Sequence, residues 1–369
     1  MADILFVSKP VEPPWNDSSK NLVRDLASNL ARHVPVVMGR KGAPAALPKG
    51  RATGVYPPAG EGSFAPSVFD NARVLARLAV APEALHHYFF APNARSGAAA
   101  KLVKGLRRKP TVHTICSIPR ADVELAKVLF ADVNVVLSEH SRRTFLERGV
   151  AEGRLRRIPP AIAPLEPLSA DARREARACF ELPSDAPVLV YPGDLEFGKG
   201  AEVTLRALAA ASRPDVRLVM ACRAKTPHAK EKEAELRGLA RELGLEGRTT
   251  WVGETRRIHD LLGAADVVAL PSDTLYAKMD YPLVILEAMS LARPVLVGRG
   301  TPAEELAEGG AARAVEVEVE ALSAEIRGLF DDEGARQALG TRGRSAVLER
   351  FTPGPMAASY EALYDSLLG

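Results

Sequence analysis

VVALPSDTLYAKMDYPLVILEAMSLARPVLV, Val267 to Val297, reads in order as strand, loop, helix and strand. Val267 to Leu270 are an apolar run short enough for a buried strand, and Pro271 and Ser272 stop it. The loop from Asp273 to Tyr281 carries Lys278 and Asp280. Pro282 suits the first turn of a helix, where a missing N–H is no loss. Leu283, Leu286, Met289 and Ser290 then repeat at helical spacing until Arg293-Pro294, and Pro294 to Val297 enter the next strand. A strand, a polar loop and a helix N-terminus make the usual anion and sugar-phosphate site of an α/β sheet. Glu287 lies one turn into the helix among apolar neighbours. A carboxylate there is costly unless something donates to it, and a diol such as a ribose would serve.

The chain has 369 residues, enough for two domains with a core each. Hydrophobic residues at 47% and charged residues at 26% describe a globular protein rather than a disordered one. No apolar run approaches the ~18–20 residues of a membrane span. MADILFVSKP reads as a first strand, too short and polar for a signal peptide. Cys116, Cys179 and Cys222 lack paired spacing, which argues against zinc or a disulfide framework and fits the cytoplasm. The net charge of +3 hides an asymmetry: basic residues dominate 1–165 and acidic residues dominate 166–369. Either the two halves balance each other, or the front half meets something anionic.

Along the chain, strands are expected at Ile4–Val7, His33–Met38, Ala84–Phe90, Thr111–Ser117, Val133–Leu137 and Arg156–Ile158. Helices are expected at Lys20–Arg32, Ser67–Val80, Ser96–Arg108 and from Ser138 or Glu139 onward, with residues 40–66 read as loop. Pro159, Pro160, Pro164 and Pro167 stiffen a connector and mark a boundary. A second alternating unit follows, with strands at Val188–Tyr191, Arg217–Met220, Thr249–Val252, Val267–Leu270 and Pro294–Val297. ARAVEVEVEALSAEIRGLF turns from strand into helix, and the last helix is Met356–Leu368. Such alternation predicts parallel sheets covered by helices.

YPGDLEFGKG, Tyr191 to Gly200, follows a strand and opens a helix. Gly193, Gly198 and Gly200 permit tight turns, and Lys199 is placed to meet a phosphate. The spacing is neither that of a Walker loop nor Gly-x-Gly-x-x-Gly, which disfavours a nicotinamide oxidoreductase. On this stretch alone, a glycine-bearing turn with a solvated lysine is the slightly better reading.

The succession GDLEFGKG, LVMACRAK, TTWVGE, IHDLLGAADVVALPS and PLVILEAM resembles the donor domain of family 4 of the retaining GT-B glycosyltransferases. VHTI, VVLSEHSRRTFLERGV and RLRRIPPAI look like that family's N-terminal domain, and GRSAVLERFTPGPMAASYEALYDSLL like its closing helices. The resemblance implies an α/β GT-B fold, two Rossmann-like domains facing each other across a cleft. Residues 1–165 with 354–369 would form the acceptor-side domain, and 166–353 the nucleotide-sugar domain.

Carried over, Glu287 matches the glutamate that binds the nucleotide ribose, and Lys199 the lysine that neutralises the diphosphate leaving group. Gly253 and Glu254 lie where backbone borders the nucleobase. Leu283 and Val284 would present helix N–H groups to the phosphates. His113 matches a strand-end histidine near the reacting sugar; without the match it reads as a core residue. Asn16, Asp17, Ser18 and Ser19 occupy the loop that faces diphosphate and acceptor. The departures are sharp: Asp194 stands where the family has arginine, and Met279 where it has the first glutamate, with Asp280 beside it. Pro282 replaces a glycine, and Ala221 to Ala224 a glycine pair. In a coherent variant, Asp280 would bind sugar hydroxyls and Lys278, Arg223 or Lys225 would restore the lost positive charge.

The implied activity is retaining, metal-independent transfer of a sugar from a nucleotide diphosphate sugar to a hydroxyl of a glycan or lipid-linked acceptor, with no cofactor. A catalytically inactive scaffold of polysaccharide assembly and a nucleotide-sugar epimerase are the alternatives. No nucleic-acid partner is expected. Leu102, Val103 and Leu106 lie among Lys101, Lys104, Arg107, Arg108 and Lys109, so this helix either packs on the core or rests on an anionic bilayer. The expected location is cytoplasmic, with peripheral contact on the inner face of the membrane as a further expectation. His86 and His87 read as packing residues, and His33, His140, His228 and His259 have no partners at ligand spacing.

Overall fold

Short apolar strands alternating with helices build two separate parallel sheets. The computed structural model describes every residue except 43–46, 48, 59–63, 65 and 225. It divides into unit 1, Met1–Ala163 with Tyr276–Asp280 and Phe351–Gly369, and unit 2, Pro164–Leu275 with Tyr281–Arg350.

In unit 1 the chain runs β1 (Asp3–Val7), α1 (Ser18–Asn29), β2 (Val34–Arg40), β3 (Arg51–Tyr56), α2 (Val68–Ala79), β4 (Leu85–Phe89) and α3 (Ala94–Arg107). It continues through β5 (Thr111–Thr114), α4 (Leu125–Val128), β6 (Val133–Val136), α5 (Glu139–Glu147) and β7 (Leu155–Arg157). The strand order is β3-β2-β1-β4-β5-β6-β7, with every pair parallel. All residues of β4, β5 and β6 are buried, as strands covered on both faces require. The strand β3 lies inside the stretch expected to be loop. Its first four residues are not buried and only Val55 and Tyr56 reach the core, so this edge strand lacks a clear apolar alternation.

Unit 2 contains α6 (Ala170–Cys179), β8 (Val188–Tyr191), α7 (Gly200–Ala210), β9 (Arg217–Ala221), α8 (Pro227–Glu242), β10 (Thr249–Val252) and α9 (Ile258–Ala264). Then come β11 (Val267–Leu270), α10 (Leu283–Ser290), β12 (Val295–Gly298), β13 (Arg313–Val315), α11 (Val319–Asp331) and α12 (Glu333–Arg350). The order is β10-β9-β8-β11-β12-β13. In both sheets the chain first builds to one side and then crosses to the other, at β1/β4 and at β8/β11. These switch points open a crevice outside the strand C-termini.

The last helix, α13 (Pro353–Leu368), returns to unit 1. Buried Glu361 accepts the backbone N–H groups of Ala31, Arg32 and His33, closing the turn after α1. Tyr364 Oη lies 2.6 Å from His87 Nδ1, and Thr114 Oγ1 lies 2.7 Å from His87 Nε2 and 2.9 Å from Tyr360 Oη. This network satisfies four polar groups under the helix, where an unmade bond would cost ~1–3 kcal/mol.

Candidate functional site

In unit 2 the singled-out residues collect at the C-terminal edge of the sheet, around the switch point. The loop after β8 packs on the loop after β11. Gly198, at φ +80°, leaves room where a Cβ would stand 2.5 Å from Asp273 Oδ1. The backbone N–H of Lys199 donates to Asp273 Oδ1 at 2.9 Å. A Cβ on Gly200 would meet the Pro271 carbonyl at 2.7 Å. These glycines therefore serve close backbone approach. The Lys199 side chain is exposed and has no partner among the described residues.

Asp194, the charge reversal, acts on its own loop, where its Oδ1 accepts the N–H of Glu196 at 2.8 Å. Beneath, Tyr191 is fully buried, and burial first of all pushes its hydroxyl well above the ordinary range. Arg223 follows β9 and Glu254 follows β10; the guanidinium stands 4.0 Å from the Glu254 carboxylate, beside Gly253. Lys225 lies outside the described residues.

Helix α10 begins at Leu283 after Pro282, and no side chain caps it. The N–H groups of Leu283 and Val284 are thus available to an anion, with the helix dipole behind them. Glu287 lies one turn on, and His259 Nε2 of α9 stands 3.4 Å from its Oε1. Sequence reasoning gives His259 no role, because Glu287 lies far downstream and only the packing of α9 on α10 joins them. The carboxylate is not buried without a partner: its side chain is 17% exposed, and His259 meets it at the surface.

The remaining candidates lie in unit 1. Asp17 caps α1, accepting from the N–H groups of Ser19 and Lys20 and from Lys9 Nζ at 2.7 Å. Burial pushes its carboxyl up, but the Lys9 ammonium and these hydrogen bonds outweigh that and hold it well below the usual carboxylate range. Asn16 precedes it in the loop after β1, Ser18 opens α1, and the Ser19 hydroxyl also donates to Asp17.

His113 is fully buried, stacked on Phe130 with centroids 4.9 Å apart, and its Nε2 lies 3.0 Å from the Phe90 carbonyl. Burial pulls its pKa down to about 4, partly opposed by that carbonyl. The structure places it inside the core, in the surroundings that the residue type alone suggests.

The segment Tyr276–Asp280 belongs with unit 1, not with the donor unit in which the sequence boundaries place it. Arg120 lies over the Tyr276 ring, 4.8 Å from its centroid. Asp280 is 2% exposed, and its Oδ2 accepts from the hydroxyls of Ser138 at 2.6 Å and Ser141 at 2.5 Å. Ser138 is also the N-cap of α5. The carboxylate expected to bind sugar hydroxyls thus has an oxygen held by two serines at a helix N-terminus, which suits its charge. Lys278 sits half-buried two residues before it.

Residues 172–346, nearly all of unit 2, match the family described as glycosyl transferases group 1. The chain is 33% identical over 205 residues to the D-inositol 3-phosphate glycosyltransferase of Saccharomonospora viridis, covering 53% of this chain and 44% of that one. It is 35% identical over 126 residues to the enzyme of the same name from Mycobacterium leprae, covering 34% of this chain and 28% of that one. The chain thus spans less than half the length of these curated relatives. Among solved structures, HepE of Anabaena in complex with UDP-glucose superposes with a TM-score of 0.79 at 18% identity, over 99% of this chain and 100% of that one. Sucrose-phosphate synthase of Thermosynechococcus elongatus gives 0.76 at 22% identity, over 100% and 99%. These likenesses show the fold, GT-B with two Rossmann-like domains.

Proposed function

We propose that the chain is a glycosyltransferase that takes a sugar from a nucleoside diphosphate sugar to an acceptor hydroxyl of a glycan or lipid-linked sugar, with retention. One observation carries the reading. The segment that matches the glycosyl transferases group 1 family is also the unit whose strand ends gather Lys199, Arg223, Glu287 and the uncapped start of α10.

In this reading the ribose diol donates to Glu287, with His259 fixing the carboxylate. The base lies along Gly253 and Glu254. The diphosphate meets the N–H groups of Leu283 and Val284 and the Lys199 ammonium, with Arg223 as the second cation. As the anomeric C–O bond breaks, its electron pair moves onto the diphosphate oxygen, and these donors stabilise that charge. The acceptor hydroxyl attacks on the same face and gives its proton to the departing diphosphate oxygen. No metal or cofactor is written into the scheme, since fixed cations and helix N–H groups supply the positive charge. Asp280 acts through the Tyr276–Asp280 segment that it fastens to Ser138 and Ser141, and His113 through the Phe90 carbonyl that it holds.

Turnover of a panel of nucleotide sugars with simple glycan acceptors, with the product anomer read by NMR, tests the reading. Expected are transfer with retention, full activity in a chelator, and for Lys199→Ala a loss of about 10²–10³ in kcat, the size seen for removal of one preorganised donor. Inversion, loss of activity in chelator, or an unaffected Lys199→Ala enzyme would contradict the scheme.

A further inference from the structure

Among the described residues, five of the eight exposed large apolar side chains lie on two neighbouring helices. Val68, Phe69 and Val80, along α2 and its C-cap, and Leu102 and Leu106 on α3 are 67–83% exposed. The two helices pack side by side over one core cluster, where Leu78, Ala100 and Val103 meet Tyr88 and Phe130. Val103 is thus a core residue, while its neighbours Leu102 and Leu106 turn outward. On α2 the exposed face continues through Ala72, Ala76 and Ala79, and on α3 through Ala98 and Gly105. Exposed apolar side chains gathered on two packed helices mark an interaction site rather than the singly scattered ones of an ordinary surface.

The charge on α3 itself has one sign. No acidic residue occurs between Glu83 and Asp122, while Arg95, Lys101, Lys104, Arg107, Arg108 and Lys109 all fall there. The acid of α2, Asp70, is turned inward and buried in the capping box with Ser67. Lys101 donates to the Ala126 and Lys127 carbonyls, and Lys104 to Asp132. Arg95, Arg108 and Lys109 have no acidic partner among the described residues. Beside α3 runs an open groove of about 710 Å³ whose lining includes Lys101, Arg108, Lys109 and Phe130, with Asp132 as its acid, paired to Lys104.

We propose that the α2–α3 face docks on an anionic lipid bilayer, with Phe69, Leu102 and Leu106 entering the acyl boundary and Arg95, Arg108 and Lys109 meeting headgroup phosphates. Charge complementarity selects this occupant. Apolar side chains ringed by long basic ones fit the interface of an anionic leaflet, where the stems lie along the apolar layer and the charges reach the phosphates. A protein interface instead depletes lysine. The inference needs no assumption about the reaction, so failure of the donor reading leaves it standing and its own failure leaves the donor reading intact.

The full chain is sedimented with phosphatidylcholine vesicles and with vesicles carrying phosphatidylglycerol. Expected is binding to the anionic vesicles only, weakened by salt. Arg95→Gln/Arg108→Gln/Lys109→Gln should lower the partition about fivefold per charge removed. Phe69→Ser/Leu102→Gln/Leu106→Gln should lower it further, with circular dichroism unchanged in both. No vesicle binding, equal binding to neutral vesicles, or insensitivity to both triple variants would overturn the proposal. So would a dimer in solution that dissolves in the apolar variant, which would make the face an interface between copies.

Discussion

Gly198 and Lys199 are neighbours with opposite kinds of importance. At φ +80° and against Asp273, Gly198 is fixed by backbone geometry, whereas the Lys199 side chain holds nothing in place. Gly198→Ala should cost at least the ~1–2 kcal/mol of a left-handed alanine and displace Asp273, lowering the denaturant midpoint. Lys199→Ala should leave the midpoint unchanged, and equal midpoints for the two variants would contradict this division. Glycine spacing in YPGDLEFGKG makes the turn legible, since a turn and a close approach both demand glycine. The partners of Asp280 are not legible. Ser138 and Ser141 lie about 140 positions earlier, and nothing local to Lys278-Met279-Asp280 points to them. A carboxylate in a loop reads as a ligand group until its hydrogen bonds are seen.

At the scale of elements, buried strands are the easiest to read, because β4, β5, β6, β8 and β11 are buried throughout and show no outward-facing alternation. The edge strand β3 escapes sequence reading because half of it faces water. The central strands of unit 1 also carry its acid sensitivity. Burial holds His86 and His113 down to about 4 and His87 well below its ordinary value, whereas in the unfolded chain each takes a proton near 6.5. Between about 6.5 and 4 the unfolded chain therefore binds more protons. Stability contributed by these histidines is complete above about 6.5 and falls with pH, by up to about 1.4 kcal/mol per unit for each histidine. Protection factors of the amides in β4 and β5, referenced to the intrinsic exchange rate at each pH, should fall from pH 7 to pH 5 more than those in β8 and β11. A uniform response across both sheets would contradict the assignment.

For the whole molecule, two alternating runs around a proline-rich connector are enough to expect two Rossmann-like units, and the structure has both. The ordering of the donor motifs along the chain is legible because they fall at the ends of β8, β9, β10 and β11, and a parallel sheet brings those ends together. The assignment of Tyr276–Asp280 to unit 1 is not, since it depends on long-range contacts alone. In the proposed function unit 2 holds a nucleoside diphosphate through Glu287. Titration calorimetry of the full chain with UDP, GDP, ADP, CDP and TDP, repeated on Glu287→Ala, tests it most directly. Expected are one base bound clearly above the rest and an affinity reduced at least about tenfold in the variant, in line with ~1.5–3 kcal/mol for a hydrogen bond to a charged group. Binding of no nucleotide, or equal binding by the variant, would contradict it.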